Sequence, residues 1–256
     1  MKVKMKRRLL TLCAAFALIL LMGISVSAAN GSVLLGNVRG EGSRYYYRGY
    51  RVFVTGYGRL EITGRTVSNG PVKVQLRSRD NKESSDGGHK FFTVNSSKNE
   101  FRYFGVMRGP YYIWVDSEED FYIYAAQYLM SNYGAPTMGK AYALSTPNKW
   151  YTGVMPFNEQ WSNPDWYKFK VPTKRTFYLY FQSLGTGYVE LRLFGPGISS
   201  AGMALPMQNN SRVVDVDNWK NSWRIRNLPA GTYYLRIKRV TPSWKRTSLG
   251  YWVKWK

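Results

Sequence analysis

Only one histidine and one cysteine occur among the 256 residues, which narrows the chemistry open to this chain. His89 follows Ser84-Ser85-Asp86-Gly87-Gly88. With Asp86 and a neighbouring serine it has the residue types of a Ser-His-Asp hydrolase. A general base must be held rigidly by hydrogen bonds, and a Gly-Gly loop does the opposite, so His89 reads as a solvated loop residue. A zinc site cannot be assembled from one histidine. Cys13 lies inside an apolar N-terminal run and is lost if that run is removed, which leaves no thiolate ligand, disulfide or nucleophile.

Carboxylates are the remaining candidates. Asp116, Glu118, Glu119 and Asp120 form the one acidic cluster. A calcium loop needs six or more converging oxygens and usually a bending glycine, which this cluster lacks, so it reads as a solvated hairpin turn. Glu100, Asp165 and Glu190 could supply a glycosidase pair only if two of them stood about 5–10 Å apart, and no spacing brings them together. The expectation is a protein without catalytic residues, cofactor or metal.

The positive signal is cationic and aromatic. From Tyr233 to Lys238, Tyr233, Leu235 and Ile237 alternate with Tyr234, Arg236 and Lys238; near the C-terminus Tyr251, Val253 and Trp255 alternate with Trp252, Lys254 and Lys256. Period-2 alternation puts each set on one face of a strand. If the two strands pair as a hairpin, Tyr234, Arg236, Lys238, Trp252, Lys254 and Lys256 share one outer surface, with Arg224 and Arg226 added from the preceding strand. Flat rings beside cations suit a sugar polymer or a polyanion. The competing explanation is that edge lysines block strand pairing and that the rings cover neighbouring strands.

Charge is distributed unevenly. Residues 29–125 hold 14 Lys/Arg against 10 Asp/Glu, whereas residues 126–256 hold 18 against 5, and none of the acidic residues lies beyond Asp217. Such an imbalance bears on anionic partners and not on fold.

The elements that must carry these residues are short strands. Leu228-Pro-Ala-Gly-Thr-Tyr-Tyr-Leu-Arg-Ile237 combines a Pro/Gly turn with a half-wet strand. Lys98, Asn99, Arg102, Gly109, Tyr111 and Tyr112 match Lys220, Asn221, Arg224, Gly231, Tyr233 and Tyr234 at an offset of 122. Tyr50, Val52, Val54, Leu60, Ile62, Val72, Val74 and Leu76 match Tyr167, Phe169, Val171, Phe177, Leu179, Val189, Leu191 and Leu193 at an offset of 117. A constant offset that changes only in a loop is the mark of an internal repeat. The reading is all-β: two tandem jelly-roll or β-sandwich domains at 29–125 and 139–256, joined by a linker at 126–138.

The N-terminus reads as targeting. Lys2, Lys4, Lys6, Arg7 and Arg8 precede an apolar core at Leu9–Met22 and the small-residue site Val26-Ser27-Ala28, the pattern of a secretory signal peptide over residues 1–28. An uncleaved leader would instead anchor the chain to the membrane, still with the remainder outside.

Several of these residues together resemble a known family. Thr152-Gly153-Val154, Asp165-Trp-Tyr-Lys-Phe-Lys-Val171, Leu228–Ile237 and Gly250-Tyr251-Trp-Val253 are similar to the bacterial pre-peptidase C-terminal domain over about 140–256, with a degenerate copy at about 30–125. The resemblance implies a jelly-roll sandwich appended to secreted hydrolases and not itself catalytic. Relatives in collagenases bind collagen and calcium through acidic residues near the start of the domain; Met138–Gly153 contains no Asp or Glu. The expected function is a secreted or cell-surface binding protein attached to an anionic cell-wall or extracellular polysaccharide. The alternative is an accessory module for a secreted peptidase or matrix protein. Nucleic acid is not expected as a partner outside the cytoplasm, and the membrane only through an uncleaved leader.

Overall fold

The computed structural model describes residues 46–67, 70–78, 90–95, 98–118, 120–156, 163–205, 219–240 and 248–256, with the short stretches 24–25, 33–38 and 214–215. His89, Asp86 and the adjacent serines lie outside the described residues, as does most of the leader. The chain is all-β, as its alternation requires. Strands β1 (Val33–Val38), β2 (Tyr46–Val54), β3 (Gly58–Thr66), β4 (Val72–Arg77), β5 (Lys90–Val94), β6 (Glu100–Val106), β7 (Gly109–Ser117) and β8 (Phe121–Leu129) form the first sandwich. The second is built from β9 (Tyr151–Met155), β10 (Asp165–Val171), β11 (Arg175–Thr186), β12 (Tyr188–Phe194), β13 (Trp219–Leu228), β14 (Gly231–Arg239) and β15 (Ser248–Trp255).

The two sandwiches repeat one topology. In the first, one sheet has the order β2-β7-β4-β5 and the other β1-β8-β3-β6; in the second, the orders are β10-β14-β12, continued by Met203–Ala204, and β9-β15-β11-β13. Ile24–Ser25 and Tyr142–Ala143 add parallel to β2 and β10. The repeat extends to single residues. Val54 pairs with Gly109, Val52 with Tyr111 and Tyr50 with Ile113; Val171 pairs with Gly231, Phe169 with Tyr233 and Tyr167 with Leu235. Both offsets read from the sequence are therefore satisfied by one set of cross-strand pairs.

The entry to β7 and to β14 uses the same device. Gly109 and Gly231 sit at φ +149° and +152°, a region that side chains disfavour. Two residues on, Tyr111 donates its hydroxyl to the Met107 carbonyl, and Tyr233 donates to that of Pro229. Each tyrosine thus staples the turn that precedes its own strand, in the manner of a tyrosine corner.

Each sandwich buries its own core. In the first, Val52, Leu60, Ile62, Val74, Phe104 and Ile113 are fully or almost fully enclosed. In the second, rings from both sheets stack: Phe169 on Phe177 at 4.6 Å and 7°, and Trp255 on Phe169 at 5.5 Å and on Phe177 at 5.9 Å. Stacked pairs add to the area they bury, each by about 0.5–1.5 kcal/mol.

Three sequence expectations are corrected. The linker does not begin at residue 126, because Ala126–Leu129 continue β8 opposite Gly58–Glu61; Gln127 is buried there and accepts hydrogen bonds from the Thr55 amide and hydroxyl. Asp116–Asp120 is not a hairpin turn, since β7 and β8 belong to different sheets. Nor does the match between β6 and β13 hold in register. A bulge between Arg175 and Phe177 on the β11 ladder, with Asn227 at φ +55°, displaces β13 by one residue. Arg102 consequently pairs with inward-facing Ile62, while Arg224 pairs with outward-facing Tyr178.

The sandwiches meet backbone to backbone. A side chain at Gly105 would place its Cβ 2.5 Å from the Leu249 carbonyl and 2.6 Å from that of Met155. The buried Ser248 hydroxyl donates to the Gly105 carbonyl at 3.0 Å. Gly105→Val is expected to part this interface while leaving both cores intact. Calorimetry should then resolve two unfolding transitions that coincide, or lie closer together, in the unsubstituted protein.

Candidate functional site

The sheet orders decide where the predicted binding residues go. β14 lies in the sheet with β10 and β12, and β15 lies in the opposite sheet, between β9 and β11. The expected hairpin does not form, so the eight residues divide between opposite faces of the second sandwich. Arg224, Arg226, Trp252, Lys254 and Lys256 belong to one sheet; Tyr234, Arg236 and Lys238 belong to the other. The reason is the enclosure of both apolar sets in one core: Tyr233, Leu235 and Ile237 face Tyr251, Val253 and Trp255 across the interior.

The β9-β15-β11-β13 face is organised in rows. Trp252 is registered with Gln182, which is registered with Lys220 on the far side; Lys254 with Tyr180 and then Ser222; and Tyr178 with Arg224. Lys256 flanks Tyr178 through reciprocal backbone hydrogen bonds at 2.9 and 3.0 Å. Lys254 and Lys256 therefore form one cationic column and Lys220 and Arg224 another, with Tyr178 and Tyr180 between them. The columns stand two strand spacings apart, about 10 Å; Lys254 and Lys256 are two residues or about 7 Å from each other, and Lys220 and Arg224, with Ser222 between them, about 13 Å.

Aromatic rings hold two of these cations, Lys254 and Arg224. The Lys254 ammonium lies 4.7 Å from the ring centres of both Trp150 and Tyr180, and the Arg224 guanidinium lies 6.0 Å from Tyr178. Trp150 is a residue the sequence reading passed over. It precedes β9 and meets Tyr180 edge to face at 6.4 Å. Its signal was available in Asn148-Lys149-Trp150-Tyr151, a cation and two rings entering a strand. Trp150, Tyr180, Gln182, Lys220, Asn221 and Ser222 line a shallow depression of about 330 Å³.

The opposite face is balanced differently. Glu190 binds Arg192 at 2.7 Å and Arg236 at 3.0 Å. Burial raises the Glu190 pKa, but the hydrogen bond and charge of Arg192, with those of Arg236, outweigh it and hold the carboxyl below its usual 4.5. Arg236 also lies 5.5 Å from Phe194 and 5.9 Å from Trp166. Lys238 is registered with Glu190, and Tyr234 with Lys168.

The carboxylates weighed for catalysis are each engaged separately. Glu100 accepts the Asn95 amide at 3.1 Å in the first sandwich, Asp165 accepts the Tyr251 hydroxyl, and Glu190 holds its two arginines. Among the described residues no group of His, Cys, Asp or Glu could hold a metal ion.

Asp165 belongs to a buried chain that the sequence did not disclose. Tyr251 donates to Asp165, and the Tyr167 and Tyr251 hydroxyls lie 2.7 Å apart. Gly153 leaves the room they occupy, since a Cβ there would sit 2.1 Å from Cζ of Tyr251. Residues quoted above for the family resemblance thus converge on one hydrogen-bonded cluster.

No protein-family model matches the chain, and no curated protein matches it. Its fold is similar to solved structures at low identity. An exported protein of PBSX, XepA, is 11% identical over 90% of this chain and 88% of its own, at a TM-score of 0.30. Tripeptidyl peptidase 2 is 12% identical, with 90% of this chain matching 24% of that one, at 0.33. The tandem CBM22 domains of Paenibacillus barcinonensis Xyn10C are 10% identical over 90% of this chain and 99% of theirs, at 0.27. Such likenesses leave function to be argued from the residues of this chain. Among its described residues no helix is long and apolar enough to cross a membrane.

Gly153→Ala should destabilise the second sandwich by about 2–4 kcal/mol, read as a lower midpoint in denaturant. Burial first, then the Asp165 charge, pushes the Tyr167 and Tyr251 hydroxyls well above 10. Folding therefore keeps protons that the unfolded chain loses near pH 10, and this contribution is complete below that pH and declines above it. Stability measured from pH 9 upward should fall less steeply in Tyr251→Phe.

Proposed function

We propose that the chain is a secreted, non-catalytic binding protein that attaches to an anionic cell-wall or extracellular polymer through the β9-β15-β11-β13 face of its second sandwich. The observation that carries this reading is the pair of cationic columns, Lys254 with Lys256 and Lys220 with Arg224, flanking Tyr178 and Tyr180. No Asp or Glu side chain among the described residues stands on that face to neutralise them. A basic N-terminal segment followed by an apolar run and a small-residue site supports export.

Ring placement narrows the polymer. Stacking of sugar requires an open aromatic face, yet Trp150 and Tyr180 both have the Lys254 ammonium against them. The face therefore reads charge before it reads sugar, and the favoured ligand is a linear polymer carrying phosphate or carboxylate at short intervals. A resemblance to pre-peptidase C-terminal domains accords with a non-catalytic role.

Retention of the mature protein on its own purified cell envelope should fall steeply as salt rises. A cation close to an anionic surface contributes about 1 kcal/mol, so Lys220→Gln with Lys254→Gln should weaken binding by about 2 kcal/mol, about thirtyfold. Circular dichroism should be unchanged and the thermal midpoint lowered by a few degrees at most, through the lost contacts of Lys254 with Trp150 and Tyr180. Binding that is indifferent to both salt and these substitutions would refute the reading.

A further inference from the structure

The division of the predicted residues between two sheets leaves the second sandwich with a second cationic surface, facing away from the first. On the β10-β14-β12 side, Lys168, Lys170, Arg192, Arg236 and Lys238 alternate with core residues, and Glu190 is the carboxylate among them. Glu190 engages the two arginines, with Trp166 and Phe194 beside Arg236. Lys168 and Tyr234 are registered neighbours, and Lys170 and Lys238 are exposed. The arrangement parallels the first face: lysines offered to solvent next to an aromatic and arginine framework.

We propose that this second face binds a separate strand of the same kind of linear anionic polymer, so that a single molecule bridges two polymer strands. The inference rests on the anionic-polymer reading of the first face. Two packed sheets are about 10 Å apart, and side chains on both outer surfaces place the two cation layers about 20 Å from each other. One extended strand cannot lie on both without turning around the edge of the sandwich. Two strands held at that separation are beyond a screening length of about 8 Å at physiological salt, so their mutual repulsion does not forbid joint binding. Charge complementarity, with five cations against Glu190 and against Asp215 registered with Tyr188 at the edge of the sheet, selects a polyanion as the occupant of the second face.

The test uses long-chain inorganic polyphosphate as the probe. It is fixed to a surface, loaded with the mature protein at about 0.1 M salt, where the screening length is about 10 Å, washed, and exposed to fluorescent polyphosphate. The unsubstituted protein is expected to capture the second polymer. Lys168→Gln with Lys238→Gln, and separately Lys220→Gln with Lys254→Gln, should each still be retained on the dense fixed layer through the intact face, the second variant with the weaker affinity given above, yet lose capture of the fluorescent strand at least tenfold relative to the amount of protein bound. Unchanged circular dichroism and a cooperative thermal transition would show that both variants fold.

Bridging is overturned if the unsubstituted protein binds the fixed layer but captures nothing further. It is equally overturned if either double variant captures as well as the unsubstituted protein, since a dimer using one face per copy would do that. Failure of the unsubstituted protein to bind the fixed layer at all would instead remove the anionic-polymer reading itself.

Discussion

The ring stack between the two sheets of the second sandwich is the constraint on which its surfaces depend. Phe169 comes from one sheet, Phe177 and Trp255 from the other, and Tyr233 packs against Phe169 at 5.9 Å. With β14 and β15 each committing an apolar row to this stack, they must approach it from opposite sides. Every alternate residue then points outward in opposite directions. Surface charge in this molecule is thus a by-product of core geometry, and no cation can change faces without taking a ring out of the interior.

Much of the fold was legible because a strand writes its exposure into alternate residues. The offset of 117 across Val52 and Val54 and that of 122 across Gly109 and Tyr111 are both reproduced by the cross-strand pairs Val52–Tyr111 and Phe169–Tyr233. What alternation cannot convey is partner choice. Gly231–Arg239 and Ser248–Trp255 each show an inner and an outer face, but the same pattern serves a hairpin or a crossover between sheets. Neighbouring strands in a chain usually pair, and here the jelly-roll crossover prevails.

The candidate site was half legible for the same reason. Lys254 and Trp252 share a sheet with Arg224, across β11 from it, whereas Arg236 lies on the opposite sheet of the domain. Tyr178 and Tyr180, which complete the rows, were overlooked because their strand was read only for its buried members, Phe177 and Leu179. The bulge near Asn227 was invisible as well. A single inserted residue leaves a sequence match intact while exchanging the two faces of a strand, and it is this shift that turns Arg224 outward.

Lys254 carries a consequence of its own. A free lysine side chain samples many rotamers and loses that freedom when it docks, whereas one seated between Trp150 and Tyr180 has already given up much of it during folding. Its ammonium meets an arriving anion from a fixed position, so the entropic penalty of capture is diminished before any ligand is present.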